Sequence, residues 1–232
     1  MKQMALDVGL GHNPSLHSFV AGPNREALEH IRLWVTHAHR SPVPTYLWGE
    51  SGSGKTHLLR AVQSWLRQSG QAVGWLDPSM AEPGACDPSW QVILMDDVNS
   101  YNAVQQHAAF HWFVDALAPG QGAPRWVLAA GSLPPSHLPL REDLRTRLGW
   151  GHVFQLRLPD DAQRKAVLQQ QAQARGLMLK EEVMDYILHR FNRDLGSLMD
   201  LLDQLDQFAL REQRAISIPL IKSMLSDPGD PA

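Results

Sequence analysis

The spacing of hydrophobic residues changes along the chain, and this change divides the chain into two parts. From Thr45 to Leu158, short apolar runs of strand length alternate with stretches whose apolar residues recur every three or four positions. Beyond Leu158 only the helical spacing remains. Apolar runs separated by helices are typical of parallel strands, which are covered on both faces. The pattern therefore predicts an α/β domain with a parallel sheet, followed by a small all-helical domain.

Five apolar runs are predicted as strands: TYLWG, AVGWLD, VILMDDV, RWVLAAG and HVFQLRL. A helix is expected ahead of them, from an Asn24 cap to about Ala38, because Leu28, Ile31 and Val35 recur at helical spacing. The first helix of the second part is expected to be capped by an acid of LPDD and to stop at the glycine of QARG.

Composition narrows the class of protein. Of the 232 residues, 44% are hydrophobic and 19% are charged, and no apolar run approaches the roughly 18 residues of a membrane span. The single cysteine, Cys86, excludes an internal disulfide framework and is compatible with a reducing compartment. A net charge of −3 argues against a large basic surface for wrapping nucleic acid. We therefore expect a cytoplasmic, globular protein without a membrane partner.

The strongest chemical signal is the segment GESGSGKT, which fits the pattern G-x-x-x-x-G-K-[ST] and lies between a predicted strand and a predicted helix. Its glycines let consecutive N–H groups surround phosphate oxygens, and the helix N-terminus adds positive potential. Lys55 can reach the β- and γ-phosphates, while Thr56 can ligate Mg²⁺. The context favours a phosphate site over an ordinary glycine turn, formed by Gly49, Glu50, Ser51, Gly52, Ser53, Gly54, Lys55, Thr56 and His57.

Two carboxylates end the apolar run VILM. Asp96 fits the acid that organises Mg²⁺ beside a phosphate loop, together with Thr56 as the second metal ligand, and Asp97 could orient an attacking water. Two acids at the end of a strand are more often the start of a solvated loop. This assignment therefore depends on the phosphate loop.

A phosphate loop in a parallel sheet, followed by a small helical domain, resembles the AAA+ ATPases. Within them, the segment DLRTRLGWG is similar to the DLxSRLxWG signature of the DnaA initiator family, with Thr146 in place of the usual serine. The resemblance implies a P-loop AAA+ core with a helical lid. It also implies that Arg147 is an arginine finger, which acts on a nucleotide held by a neighbouring protein; the alternative is an ordinary surface arginine.

Two further segments extend the resemblance. RDLGSLMDLL is similar to the family's RELEGAL segment, which implies that Arg193 is a sensor-2 residue touching nucleotide from the lid. AAGSLPP occupies the sensor-1 segment, but Ser132 stands where an aspartate is common. This departure puts hydrolysis of the chain's own nucleotide in question, so its status as an enzyme stays open.

The N-terminal residues QMALDV resemble bacterial clamp-binding peptides of the form Q-x-x-L-x-[LF]. Gln3, Met4, Leu6 and Val8 fall on the anchoring positions. The alternatives are an incidental apolar terminus and a strand that packs on the protein's own core.

The resemblance covers AGPN to IPLIKSML and is closest to the Hda-type members, which lack the family's DNA-reading helix-turn-helix domain. It implies bound ADP or ATP with Mg²⁺ and two partners, the DnaA initiator and the sliding clamp (β subunit) of DNA polymerase III. It implies no direct sequence-specific DNA binding and leaves formation of a homo-oligomer open. The expected segments are an arm at 1–20, a nucleotide-binding domain at 21–158, a lid at 159–226 and a disordered tail at 227–232.

Two other functions share part of this pattern. A helicase-loader-like ATPase that binds single-stranded DNA would have the same core, but it should carry basic or aromatic nucleic-acid contacts. A small-molecule P-loop kinase would share the phosphate loop, but a trans-acting arginine segment would not be expected in it.

Overall fold

A computed structural model describes residues 14–16, 19, 21–37, 43–117, 125–191 and 195–226. Its sheet has five strands, all in parallel register: β1 (Thr45–Trp48), β2 (Val73–Leu76), β3 (Val92–Met95), β4 (Trp126–Gly131) and β5 (His152–Gln155). The order across the sheet is β2-β3-β4-β1-β5. The predicted parallel sheet is confirmed, and each strand falls within one of the five apolar runs.

Helices accompany the sheet and then continue alone. The α/β part contains α1 (Arg25–Thr36), α2 (Lys55–Gln68), α3 (Ala103–Leu117) and α4 (Glu142–Leu148), and the helical part contains α5 (Asp161–Ala174), α6 (Glu181–Arg190), α7 (Leu195–Glu212) and α8 (Ile218–Ser226). The described ranges also contain three short 3-10 helices, Gly22–Asn24, Val98–Ser100 and Pro135–His137. None of the helices in the described ranges is long and apolar enough to cross a membrane.

The central strands β1, β3 and β4 are buried on both faces, which explains why they are mostly apolar, whereas β2 is half-buried and β5 is largely exposed. Successive side chains of a strand point to opposite faces. Leu47 accordingly packs in one cluster with Leu28 of α1 and Leu58 of α2, whereas Tyr46 packs in another with Phe113 of α3. The strands are therefore held in a three-layer arrangement, and their carboxyl ends remain available at one edge.

The helical part has its own core and clear end signals. Leu168, Ile187, Leu202 and Leu220, one from each helix, belong to one buried cluster. Asp160 caps α5: its side chain accepts a hydrogen bond from the Gln163 N–H at 2.8 Å, while the Gln163 side chain accepts one from the Asp160 N–H at 3.0 Å. Gly176 follows the helix with φ of +73°. The expected cap and stop are both confirmed.

The predicted cap at the start of α1 is wrong. Asn24 stands at the cap position, but within the described residues its side chain makes no hydrogen bond to the first turn of that helix. Its amide instead bonds the backbone of Arg157, far away in the sequence. A tertiary partner has replaced the local one, and α1 also ends at Thr36, two residues before the expected Ala38.

Candidate functional site

A cleft of about 780 Å³ lies at the carboxyl ends of the central strands. The loops after β1, β3 and β4 form its floor and bring together the predicted residues Lys55, Thr56, Asp96, Asp97 and Ser132. Ligands of open parallel sheets bind at this edge. Helices α5 and α7 of the helical part line the opposite side, and residues between 14 and 24 line a third.

The loop between β1 and α2 has the backbone that a phosphate cradle requires. Gly52 and Gly54 have φ of +81° and +94°, in the left-handed region that favours glycine. Gly54 occupies the cap position of α2, so the helix begins directly at Lys55. Residues Ser51 to His57 line the cleft. The cleft therefore receives both the loop and the positive end of a helix.

The backbone of Leu156 approaches position 49 so closely that only glycine fits there. A Cβ atom added at Gly49 would lie 2.1 Å from the carbonyl oxygen of Leu156, which follows β5. Any side chain would therefore push the phosphate loop away from the segment that leads to the helical part. The first glycine of the motif thus lets the loop lie directly against the backbone of the segment that leads to the helical part.

Lys55 is folded back onto its own loop. Its Nζ donates hydrogen bonds to the carbonyl oxygens of Gly49 and Glu50, each at 2.8 Å. Burial lowers the pKa of Lys55, and the charges of Asp96 and Asp97 oppose that shift. The ammonium group is thus held over the loop by carbonyl groups, next to the two acids.

Thr56 and Asp96 are in direct contact. The Thr56 hydroxyl hydrogen-bonds the Asp96 carboxylate, and the backbone N–H of Asp97 donates to Asp96 Oδ1 at 3.0 Å. Burial raises the pKa of Asp96, although these hydrogen bonds act in the opposite direction. A hydroxyl oxygen beside a carboxylate is a donor set that Mg²⁺ accepts, usually together with water and substrate phosphates. The predicted metal ligands therefore form a compact pair.

One buried atom in the loop fits a phosphate ligand. Ser53 is 2% exposed, and its Oγ has no hydrogen-bond partner within the described part of the chain. Buried hydroxyl groups normally have a partner, because leaving one unpaired costs free energy. A phosphate oxygen in the cradle would supply an acceptor.

Ser132 closes the floor of the cleft without a charge. Its backbone N–H donates to Asn99 Oδ1 at 2.6 Å, which ties the end of β4 to the segment after β3. Next to it, the Tyr46 hydroxyl donates to the carbonyl oxygen of Leu133 at 2.7 Å. Two hydrogen bonds thus hold the strand end, but a neutral hydroxyl stands where the resemblance leads one to expect a carboxylate.

Arg147 lies apart from this cleft. It belongs to α4 and is absent from the described lining residues. Its guanidinium carbon lies 5.4 Å from the centroid of the Phe110 ring, and that of Arg141 lies 4.7 Å from the same centroid. Arg147 is therefore placed on a surface formed by α3 and α4, away from the chain's own phosphate loop.

Several lining residues were missed by sequence reasoning. In the helical part, Arg175 has a side chain only 5% exposed, and its Nε bonds Asp203 Oδ1 at 2.8 Å. On the other side, the ring of Phe19, which was not predicted, lies 6.1 Å from the ring of the predicted residue His57, and burial lowers the pKa of His57. The only hint in the sequence was the position of Arg175 immediately before the helix stop, which does not distinguish it from any C-terminal arginine.

Five predicted site residues lie outside the described ranges. They are Arg193 of the expected sensor-2 position and the arm residues Gln3, Met4, Leu6 and Val8. Their roles stay predictions.

Family models match both parts of the chain. The model of the bacterial DnaA ATPase domain matches residues 10–74, and the model of the Hda lid domain matches residues 161–225. The first match contains the whole phosphate loop, and the second contains most of the helical part.

Solved structures agree on the fold. Domain III of the Thermotoga maritima replication initiation protein DnaA has a TM-score of 0.76 at 20% identity, covering 95% of this chain and 98% of that one. A replication initiator DnaA bound to AMPPCP and single-stranded DNA has a TM-score of 0.66 at 20% identity, covering 88% and 69%. The Thermotoga maritima RuvB Holliday junction branch migration motor has 0.64 at 15% identity, covering 92% and 71%.

These similarities confirm the predicted AAA+ core with its helical lid. The structural matches establish the fold, and the two family models establish the relationship to the DnaA and Hda proteins. The chain therefore belongs to the DnaA/Hda family of AAA+ proteins.

Proposed function

We propose that this protein is a nucleotide-binding regulator of the DnaA initiator, which presents Arg147 to the ATP of a DnaA protomer and promotes its hydrolysis. The observation that carries the proposal is the separation of Arg147 from the chain's own cleft. An arginine finger must reach a phosphate, and Arg147 does not line the cleft that would hold the chain's own nucleotide. A second protein must therefore bring the nucleotide to it.

The chain's own cleft is proposed to bind ADP or ATP. Lys55 and the loop N–H groups would hold the phosphates, and Thr56 and Asp96 would hold Mg²⁺, which neutralises charge between the phosphates when bound. Asp97 would orient a water at the end of the cleft. AMPPCP in a related DnaA supports a nucleoside triphosphate as a ligand of this fold. Because Ser132 is uncharged, we expect slow turnover in this site and a bound nucleotide that acts mainly on conformation.

The chemistry is proposed to take place in the partner. Negative charge develops on the γ-phosphoryl group during transfer, and a guanidinium placed beside it stabilises that charge. Arginine fingers raise hydrolysis rates by about 10³–10⁵. Phe110 holds the Arg147 guanidinium near the protein surface, where a docked nucleotide could meet it.

Two more features of the proposal depend on residues outside the described ranges. Arg193 would contact the nucleotide from the lid. Gln3, Met4, Leu6 and Val8 would dock on the sliding clamp as an extended peptide, which places regulator and clamp on the same DNA. Short peptides that order on binding have modest affinity, and a ring-shaped clamp can raise it through multivalency.

The direct test is phosphate release from ATP-bound DnaA, mixed with this protein in the presence and absence of DNA-loaded clamp. The proposal predicts that the protein stimulates ATP hydrolysis by DnaA and that this stimulation requires the clamp. Arg147→Ala should abolish the stimulation and keep the parental affinity for ADP. Arg145→Ala, on the same short helix, is the matched control and should stimulate normally. Full stimulation by Arg147→Ala would overturn the role of the finger.

Replacing Gln3 and Leu6 together by alanine tests the arm. We expect folding and ADP binding to be unchanged, while clamp binding and clamp-dependent stimulation are lost. If the double variant binds immobilised clamp with parental affinity in surface plasmon resonance, the arm is not the docking peptide.

Single-stranded DNA binding is the second candidate, because one related DnaA structure contains such a strand. A fluorescently labelled oligonucleotide distinguishes the two. A helicase-loader-like protein should bind it tightly with ATP and leave DnaA hydrolysis unchanged, whereas the regulator should show the opposite behaviour.

A further inference from the structure

The side chain of Asn24 joins the start of the α/β domain to the segment that leads into the lid. Its Nδ2 donates to the carbonyl oxygen of Arg157 at 3.0 Å, and its Oδ1 accepts from the N–H of Arg157 at 2.8 Å. The amide thus pairs with residue 157 as the backbone of a neighbouring strand would. Asn24 is only 5% exposed, so these bonds are shielded from water.

Arg157 lies on the linker between β5 and α5, and the linker is held from the other side as well. The N–H of Leu156 donates to the carbonyl oxygen of Trp48 at 2.6 Å. The carbonyl of Leu156 faces Gly49, where it leaves no room for a Cβ atom. The linker therefore lies between Gly49, the first residue of the phosphate loop, and Asn24, and contacts both.

Gly22, two residues before Asn24, contacts the first turn of the lid. Gly22 has φ of +42°, and a Cβ atom added to it would lie 2.7 Å from Nε2 of Gln163. Gln163 is the residue that completes the capping box of α5. Residues 22–24 thus contact both the linker and the first turn of the lid.

We propose that Asn24 is a positioning residue, which sets the angle of the helical lid over the cleft so that lid residues reach a bound nucleotide. Rigid domains rotate about a few linker residues whose dihedral angles change. Two hydrogen bonds to residue 157 restrict those angles at the point of rotation. Lid residues such as Arg175 line the cleft only while α5 keeps its present direction. The inference rests on the proposed nucleotide site.

The proposal also explains why Asn24 leaves the helix cap unfilled. Asparagine is among the most favourable cap residues, so a local role was the natural expectation. In the structure, the Asn24 side chain joins two distant segments and does not cap α1. We infer that its contribution to the position of the lid outweighs the contribution it would make as a helix cap.

The test compares Asn24→Ala with Arg157→Ala. Asn24→Ala removes both bonds, and we expect ADP affinity to fall about five- to ten-fold, mainly through faster release. Arg157→Ala keeps both bonds because they involve its backbone, so it should bind ADP like the parent. Asn24→Asp keeps the bond from the Arg157 N–H and should have intermediate affinity; it also replaces Asn24→Ala if that variant fails to fold.

Lid orientation is measured directly by spin labels at the exposed positions Gln68 of α2 and Glu182 of α6, in a Cys86→Ser background. We expect a broader distance distribution for Asn24→Ala than for Arg157→Ala, already without nucleotide. An unchanged distribution overturns the proposal, even if ADP affinity falls, because Asn24 would then act by touching the ligand. If the parent binds no ADP, the nucleotide site is wrong, while the distances in the free protein still decide the role of Asn24.

Discussion

Arg147 and Arg141 lie over the same aromatic ring, that of Phe110, with guanidinium carbons 5.4 Å and 4.7 Å from its centroid. A guanidinium near the face of a phenyl ring is attracted by the ring's quadrupole, by about 0.5–1 kcal/mol at an exposed site. Phe110 belongs to α3 and Arg147 to α4. The ring therefore restricts a flexible side chain without using its hydrogen-bond donors, which stay available for an anion.

Phe110→Leu should lower the stimulation of DnaA's ATP hydrolysis about two- to five-fold, because leucine keeps the apolar volume but lacks the quadrupole. ADP affinity and thermal stability should stay close to those of the parent. Phe110→Trp should restore stimulation, since indole is the strongest of the aromatic partners. The measurement is phosphate release at saturating regulator; equal rates for the leucine variant and the parent would contradict the role of the ring.

Lys55→Ala should weaken ADP and ATP binding at least about ten-fold, because it removes the side-chain cation of the phosphate loop. Isothermal titration calorimetry measures both ligands. Lys222→Ala, which changes an exposed lysine of α8, is the control and should bind normally. Unchanged affinity of Lys55→Ala for both nucleotides would refute the assignment of the phosphate loop.

Asp96→Asn should raise the melting temperature of the nucleotide-free protein by a few degrees near neutral pH. Burial raises the pKa of Asp96, so its stabilising neutral form is present at acid pH and lost as the pH rises through the folded-state value. The uncharged amide avoids that loss, and its advantage over the parent should vanish as the pH falls. The same variant should lose magnesium-dependent ADP affinity.

Asp97→Asn is the matched control for this experiment. Asp97 has φ of 48°, a conformation that asparagine tolerates well, and its side chain is only half-buried. Because the Asp97 charge contributes to the raised pKa of Asp96, Asp97→Asn should change the melting temperature in the same direction as Asp96→Asn but by less. A pH-independent advantage for Asp96→Asn, or none at all, would show that burial of the Asp96 charge does not limit stability.

Gly49→Ala should destabilise the protein by about 1–3 kcal/mol, or roughly 3–10 °C in melting temperature, because the new methyl group meets the Leu156 carbonyl. It should also weaken ADP binding. Gly84→Ala places a methyl group in open space and should be neutral or slightly stabilising. Similar melting curves for the two variants would rule out the close contact between phosphate loop and linker.

The sequence predicted what depends on local pattern. Apolar runs such as VILM predicted strands because both faces of a parallel sheet are buried, and the carboxyl end of that run placed Asp96 beside Thr56. The loop motif has a fixed geometry that its glycines and Lys55 determine. These features need no knowledge of distant segments.

Contacts between distant segments were not predictable in this way. Asn24 has the same local signal whether it caps α1 or binds Arg157, and the choice depends on where the linker passes. Arg175 stands at the end of an amphipathic helix, and its position in the cleft depends on how the lid packs. Such placements are set by tertiary packing, which overrides local preference.

The place of β1 in the sheet determines when the cleft can form during synthesis. β1 is the first strand in the described part of the chain, yet its partners are β4, where Thr45 pairs with Leu128, and β5, where it pairs with His152. Until those strands leave the ribosome, the phosphate loop lacks its support, including the bond from the Gly49 N–H to the Gly131 carbonyl. Closing such long loops precedes any gain from contacts, which slows folding. The proposed nucleotide would therefore stabilise the finished domain and would not guide its early folding.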